Sequence, residues 1–278
     1  METMNSIILS SLYDPCFPYA FIETMDDLFK NILDRERTRQ SADSLITNFT
    51  IEMIKHLIKK ETLSLNLFRP ATDRWIIFHT LNISYIVCNM LIMNSFPYTF
   101  TVQGVKSAIM HDIAHILLKS TSIEDDRDEI RDNWRLHIAL GYRLCTRFGL
   151  SREVCDSVLY HHERFDGMGL ANLKGKRIPF YSRLINLADK AEQAIFHNEE
   201  HSESFPNSLM KMKGNVLDPD LVEDFIHTFG PFPPGTRFQW KGETYVFQGT
   251  NIKNRELLFE NNSGKTYHVP LNDFLKNW

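Results

Sequence analysis

The hydrophobic positions of the first part of the chain recur at helical spacing. Between residues 18 and 68, apolar side chains repeat every three or four positions in two runs, which end near Ile32 and Ile58. The polar run Lys59–Glu61 closes the second of them. The pattern predicts a helical N-terminal region over residues 1–68. We interpret this region as a packing or dimerising element, with a degenerate sensor domain as the alternative.

The block from residue 69 to residue 229 holds further helical runs. Ser151 and Thr101 each stand where a helix N-cap is expected. The first run is long and apolar, but Asn82 and Asn89 interrupt it, so we expect a buried helix and not a membrane span. Strand-like alternation is rare, which predicts a helical bundle. The runs cover residues 74–93, 101–119, 126–148, 151–162 and 180–197.

The last part of the chain, residues 230–278, changes character. Glycines and prolines at 230–235 break the helices, and short runs with strand propensity follow, separated by turn signals. Three to five short antiparallel strands are predicted. The fold class is therefore mainly α: a helical bundle with an N-terminal helical region and a small C-terminal antiparallel β subdomain.

Composition and charge narrow the function classes. A net charge of -4, with 43% hydrophobic and 24% charged residues, is typical of a soluble globular protein. It gives no basic field that would favour a nucleic acid or a membrane as partner. None of the 4 cysteines forms a CxxC pair, which argues against a zinc knuckle or redox motif. No signal peptide is recognised at the N-terminus, so a cytoplasmic location is expected.

Candidate chemistry comes from histidines in apolar, helical settings. Imidazoles and carboxylates on the core side of helices must be paired or ligated, and without thiolates they suit iron, manganese or zinc. Neighbours on a helix point about 100° apart, so His111 and Asp112 are expected to serve two adjacent metals, with the carboxylate bridging. A single buried histidine is more often structural, so the set matters more than any member. The set is His79, His111, Asp112, His137, His161, His162 and Asp189.

One stretch points to a family. His161–Gly169 reads HHERFDGMG and resembles the HHExxDGxGYP signature of the HD-GYP family of cyclic di-GMP phosphodiesterases. Leu173–Pro179 is similar to the family's LxGxxIP, Ser182–Asp189 to its ARIxxxAD, and Ile109–Ile113 to its LLHDI. The resemblance covers about residues 70–228, the greater part of the chain.

The resemblance implies an HD-type bundle that holds two divalent metal ions, iron first, with manganese or zinc as alternatives. Asp112 would bridge the two ions; His79, His111 and Asp189 would complete one, and His137, His161 and His162 the other. Glu163 would orient a ligand or the backbone. Asp112 and His115 would be catalytic, and the substrate would meet Arg183, His115, Asp166, Gly167 and Gly169. For Arg183 the alternative is a surface or structural ion pair.

The implied function of residues 69–229 is that of a bacterial signalling phosphodiesterase. A metal-bridged hydroxide would hydrolyse cyclic di-GMP to linear pGpG. The implied partner is the cyclic dinucleotide, and a homodimer through the N-terminal helices fits their apolar faces.

Three departures from the family change this interpretation. His115 stands where the family has a phosphate-binding lysine, and a mostly neutral imidazole is a weaker clamp. Leu170 and Ala171 replace the tyrosine and proline of GYP, so interaction with GGDEF proteins does not carry over. Trp75 replaces the glutamate of three-metal members, which predicts a binuclear site. The alternatives are a degenerate receptor for a nucleotide or protein partner with little turnover, and a hydrolase of another nucleotide.

Overall fold

The structure is a computed structural model that describes residues 16–34, 39–69, 74–118, 127–197 and 205–276. Helices precede an antiparallel sheet, as the sequence predicts. The helices are α1 (Ala20–Leu33), α2 (Arg39–Leu57), α3 (Trp75–Met93), α4 (Tyr98–Met110), α5 (Ala114–Leu118), α6 (Arg127–Arg147), α7 (Arg152–Tyr160), α8 (Phe180–His197), α9 (Phe205–Met212), α10 (Pro219–Phe229) and α11 (Leu271–Lys276), with a 3-10 turn at Gly175–Arg177. The strands are β1 (Thr62–Leu63), β2 (Arg237–Trp240), β3 (Glu243–Asn251), β4 (Glu256–Asn261) and β5 (Thr266–Pro270).

The two N-terminal helices form where the apolar periodicity predicts them. They pack on each other and on α3 and α4, and their buried side chains belong to the same core as the rest of the bundle. Lys106 of α4 is buried and reaches α2, where its ammonium group pairs with Asp43 and donates to Thr47 at 3.0 Å. The division of the chain at residues 68 and 69 stays a prediction.

Helix α3 lies at the centre of the bundle and packs against α1, α4, α8 and α10. In the part of the chain that the structure describes, it is the one helix long and apolar enough to cross a membrane, but 78% of its most apolar window is buried in the core. Its polar side chains, such as Asn82 and Asn89, are also buried. The expectation of a buried core helix is therefore confirmed.

Two predicted helices end earlier than the apolar pattern suggests. The run 101–119 is not one helix, because α4 ends at Met110 and a tight turn at His111–Ile113 leads into α5. In this turn the amide of His115 donates to the carbonyl of Asp112 at 3.0 Å, an i to i−3 bond that tightens the chain. The run 151–162 likewise ends at Tyr160. The sequence argument that placed His111, Asp112 and His115 on one continuous helix is wrong in this respect.

The two predicted helix caps have different outcomes. The Ser151 hydroxyl accepts a hydrogen bond from the amide of Val154 at 3.4 Å, which confirms Ser151 as the N-cap of α7. Thr101 is not a cap, because α4 begins at Tyr98, directly after Pro97. Proline fixes the backbone conformation that enters a helix, so α4 starts one turn earlier than expected.

The sheet has five antiparallel strands and takes one of them from the N-terminal region. Its order is β1-β3-β4-β5, with β2 also paired to β3. Thr62 pairs with Asn251 and Leu63 with Thr250, so β1 lies on β3. Gly249 permits this approach: it has φ +148°, and a Cβ there would lie 2.3 Å from the carbonyl oxygen of Leu63. The sequence predicts the C-terminal strands but not β1.

Candidate metal centre

The predicted ligands come from five separate elements that converge below the surface. Each of the predicted ligands is buried except His162, which is partly exposed. Helix α3 supplies His79, the turn after α4 supplies His111 and Asp112, α6 supplies His137, the turn after α7 supplies His161 and His162, and α8 supplies Asp189.

The carboxylate of Asp112 lies between two groups of imidazoles. Its Oδ2 atom is 3.5 Å from Nε2 of His79 and 3.4 Å from Nε2 of His111. Its Oδ1 atom is 3.5 Å from Nε2 of His137 and 3.4 Å from Nε2 of His161. Each oxygen therefore faces a different pair of rings. This is the arrangement expected of a carboxylate shared between two cations.

Hydrogen bonds on the outer side of the rings fix which nitrogen faces the centre. Nδ1 of His111 donates to the carbonyl of Ala108, and Nδ1 of His161 donates to the carbonyl of Val158, both at 2.8 Å. A carbonyl can only accept, so the proton is on Nδ1 and the lone pair on Nε2 points inward. Nδ1 of His79 faces the carboxylate of Glu192 in the same way.

The inner nitrogens are too close together to be left with lone pairs alone. Nε2 of His79 is 3.1 Å from Nε2 of His111, and Nε2 of His137 is 3.2 Å from Nε2 of His162 and 3.4 Å from that of His161. Oδ1 of Asp112 is buried without a hydrogen-bond partner among the described residues. Lone pairs directed at one another in a buried site need a cation between them. The donor set therefore fits divalent metal ions.

Protonation states agree with this fit at most positions. Burial lowers the pKa of His111 to about 4. Burial, with the charge of His161, also holds the pKa of His162 well below its usual value. For Asp112, burial opposes ionisation, but the surrounding histidines outweigh it and hold the pKa well below its usual range. Neutral imidazole and ionised carboxylate are the forms that bind metals.

His79 is the exception, and Glu192 is the reason. Burial disfavours a charged ring, but the carboxylates of Glu192 and Asp112 outweigh it, so the pKa of His79 is raised well above its usual value. The same negative charges that favour a proton on this ring favour a metal ion in its place. The sequence reasoning missed Glu192, although a carboxylate one turn after Asp189 on the same helix was the available signal.

Three sets of donor atoms lie within 4.8 Å of one another. Two share Asp112, and the third joins His79 to Asp189 and Glu192. The structure thus brings the predicted ligands together around Asp112 and His79; their role as ligands stays a proposal. The sets are Asp112, His137, His161 and His162; His79, His111 and Asp112; and His79, Asp189 and Glu192.

A comparison with protein families identifies the domain in which this cluster lies. Residues 102–194 match the family described as HD domain. The chain contains an HD domain. The match includes all the predicted ligands except His79, which lies on α3, before the matched segment. The HD domain therefore receives one of its candidate ligands from the preceding helix.

One solved structure shows the same fold at low sequence identity. The chain is similar to Bd1817, a HDG"Y"P protein from Bdellovibrio bacteriovorus, with a TM-score of 0.52 and 14% identity over 74% of this chain and 68% of that protein. A second similar structure is V-cGAP3, a cyclic GMP-AMP specific phosphodiesterase in V. cholerae, with a TM-score of 0.42, 18% identity, and coverage of 53% and 42%. The second likeness is too low to carry an argument, and the chain spans less than half of that protein. A search of curated proteins gives no match.

His115 lies beside the ligand cluster of the HD domain. Its Nε2 atom is 3.9 Å from Oδ1 of Asp112, and its ring stacks on His137 with centroids 4.6 Å apart. Trp75 packs edge-on against it, with ring centroids 5.3 Å apart. Burial lowers the pKa of His115, so the ring is neutral at cell pH. Its predicted catalytic and substrate-binding roles stay predictions.

The residues of the HHExxDGxG motif build the loop that follows the two histidines. The buried carboxylate of Glu163 accepts hydrogen bonds from the amides of Ala171 at 2.6 Å and Leu173 at 3.0 Å. Asp166 accepts from the guanidinium of Arg164 and from the amide of Met168 at 3.0 Å. Both carboxylates therefore stabilise the conformation of this loop by accepting hydrogen bonds from its main chain. The predicted substrate role of Asp166 stays a prediction.

The two glycines of the same motif are required by the backbone. Gly167 has φ +87°, a conformation that favours glycine. At Gly169, a Cβ would lie 2.8 Å from the amide nitrogen of Arg164 and from the Cα of Glu163. The loop therefore folds back on its own start. Substrate contact by either glycine stays a prediction.

Arg183 has an acidic partner within the protein. Its guanidinium pairs with Asp218, which caps α10, and donates to the carbonyl of Ile178 at 3.0 Å. The side chains of Arg183 and Asp218 are 11% and 1% exposed. The structure thus gives this guanidinium a structural ion pair, which is the alternative to the substrate role in the sequence analysis, although the partner Asp218 was not predicted. Its contact with a substrate phosphate stays a prediction.

Proposed function

We propose that this HD domain is a metal-dependent phosphodiesterase that hydrolyses a cyclic dinucleotide, with cyclic di-GMP as substrate and linear pGpG as product. The observation that carries the proposal is the position of Asp112. Its two oxygens face separate groups of histidines, and in each group the outer hydrogen bond of one ring, His111 or His161, leaves a lone pair on the inward nitrogen. Two cations would accept these inward lone pairs and compensate the buried carboxylate between them.

The residues have distinct parts in this proposal. Two bound divalent ions would supply an activated water and a clamp on the phosphate oxygens. Asp112 would be shared by the two ions, and the outer hydrogen bonds of His111 and His161 keep their rings directed inward. His115, neutral and close to Asp112, is placed to accept or return a proton during the reaction.

Lys190 supplies a positive charge beside the cluster. Its ammonium group is 3.2 Å from Oδ2 of Asp189 and 2.9 Å from Oε1 of Gln193. The side chain is 23% exposed, so it can be reached from solvent. A phosphodiester needs a cationic contact, and His115 does not provide one. We therefore assign to Lys190 the contact that the absent lysine at position 115 would have made.

A second function has an observation in its favour. Arg183 is held by Asp218, and His115 is neutral, so two of the groups that the family resemblance assigns to the substrate offer a phosphate little positive charge. A receptor that binds a nucleotide and turns it over slowly, or not at all, would tolerate this loss. Hydrolysis of a different nucleotide is the third candidate, because the altered positions are those that the family resemblance assigns to the substrate.

One experiment separates these functions. The full chain is purified under low oxygen, its iron, manganese and zinc are measured, and hydrolysis of cyclic di-GMP, cyclic GMP-AMP and a generic phosphodiester is assayed. We expect two ions per chain and release of pGpG from cyclic di-GMP. Two ions with binding but no hydrolysis would support the receptor. Less than one ion per chain would contradict the metal centre itself.

A further inference from the structure

A buried path of hydrogen bonds leads from the metal centre to the N-terminal region. It starts at Nδ1 of His79, which contacts Oε2 of Glu192. The other oxygen, Oε1, accepts from the side-chain amide of Asn82 at 2.6 Å. The exposed fractions of His79, Asn82 and Glu192 are 6%, 0% and 4%. Water therefore has little access to this path, and each group depends on its protein partners.

Asn82 continues the path to the main chain at Phe68. Its amide nitrogen donates to the carbonyl of Phe68 at 2.7 Å, and its oxygen accepts from the amide of the same residue at 2.9 Å. Both hydrogens of the amide group are thus used, one on Glu192 and one on Phe68. This pattern fixes the orientation of the amide, because a flipped group would place oxygen against oxygen.

The consequence for His79 follows from the requirements of Glu192. A buried carboxylate needs hydrogen-bond donors, and the structure gives it two, His79 and Asn82. A carboxylate on the outer nitrogen of a metal-binding histidine sets its tautomer, orients the ring and strengthens it as a donor. Without Asn82, Oε1 would be left unsatisfied, and Glu192 would no longer be held in one position.

We infer that Asn82 and Glu192 position His79 for its metal ion, and that Asn82 makes this positioning depend on the backbone at Phe68, at the end of the N-terminal region. The inference rests on the metal centre of the proposed function. It assigns a connection between that region and the centre: displacement of Phe68 releases Asn82, then Glu192, and weakens the site at His79. The other ion, which His137, His161 and His162 would hold, is linked to this path only through the shared Asp112.

The test uses the full chain and measures metal binding instead of hydrolysis. Asn82→Leu removes the amide and keeps a similar volume. Asn89→Leu is the matched control, because Asn89 is also buried on α3 but donates within its own helix, to the carbonyl of Tyr85 at 2.9 Å. Mn²⁺ affinity is measured by titration, and the stability of each chelated protein by urea unfolding.

We expect Asn82→Leu and Glu192→Gln to weaken one of the two Mn²⁺ sites by roughly 10- to 100-fold. We expect Asn89→Leu to lose stability but to keep both affinities. Equal affinities in Asn82→Leu and Asn89→Leu would overturn the inference, and so would a wild type that binds no Mn²⁺. A wild type that binds two ions and hydrolyses no dinucleotide would contradict the proposed function and leave the inference standing.

Hydrogen exchange at Phe68 tests the connection even if a variant folds poorly. The Phe68 amide donates to the side chain of Asn82. If metal binding at His79 and opening of the chain at Phe68 are coupled, Mn²⁺ is expected to slow hydrogen exchange of this amide in the wild type. In Glu192→Gln the same addition is expected to leave the rate of this amide unchanged. An unchanged rate in the wild type, with Mn²⁺ bound, would overturn the connection.

Discussion

Replacement of Arg183 by methionine distinguishes a structural role from a substrate role. The pair with Asp218 is almost fully buried, with side chains 11% and 1% exposed. Removal of one member of a buried pair leaves the other charge uncompensated, which costs about 3–5 kcal/mol. Asp218 keeps one donor, the amide of Asp220 at 3.0 Å, so we expect the lower end of this range.

The assay is urea unfolding, with a matched surface pair as control. Lys176 and Asp220 form an ion pair nearby, but their side chains are 70% and 66% exposed, so Lys176→Met is expected to unfold like the wild type. The double variant Arg183→Met with Asp218→Asn should recover part of the lost stability, because no buried charge remains. If Arg183→Met is as stable as the control and raises KM for the dinucleotide, the structural interpretation is wrong and the sequence prediction is right.

Three further predictions concern the centre and its loop. Lys190→Met is expected to lower kcat/KM by roughly ten- to a hundredfold, the loss of one charged hydrogen bond, when assayed with enough Mn²⁺ to saturate both sites; unaltered kinetics would argue against a phosphate contact. Gly169→Ala should destabilise the fold by about 1–3 kcal/mol, whereas Met168→Ala, at a side chain 77% exposed, should not, as urea unfolding will show. Mn²⁺ at a hundred times Kd should raise the stability of the chelated wild type by about 2.7 kcal/mol per site. In a thermal shift assay Asp112→Asn should lose the stabilisation from both sites, and stabilisation from either site would contradict a shared ligand.

The helices were predictable where one face is apolar, and their ends were not. The spacing of apolar residues gives α1 and α2 to within a few positions. The same spacing of apolar residues continues through His111 and His161, although the helices end just before them. A turn with near-helical dihedral angles does not interrupt this spacing, and His111 has φ -56° and ψ -39°. The hydrogen bonds that end α4 are set by the surrounding packing, which the local sequence does not show.

In the candidate site, too, features that depend on neighbouring residues could be predicted, and contacts between residues far apart in the sequence could not. The convergence of the candidate ligands could be predicted because the HHExxDGxG motif is contiguous and its residue types suit metals. The contacts of Asn82 and Glu192 could not, because they join residues far apart in the chain. The partner of Arg183 could not be predicted either, because Asp218 is distant in the sequence and helix α9 lies between the two residues.

The short strand β1 has a consequence for the order of events during synthesis. Leu63 emerges from the ribosome before the whole HD domain, whereas Thr250, its partner in β3, emerges after it. The helices can therefore assemble while the main chain at Thr62 and Leu63 still lacks its partner. Contacts between such distant segments form late and slowly. Closure of the sheet on β1 is thus expected to be the final step of folding, and a nascent chain arrested before Gly249 should hold its helices with this edge still open.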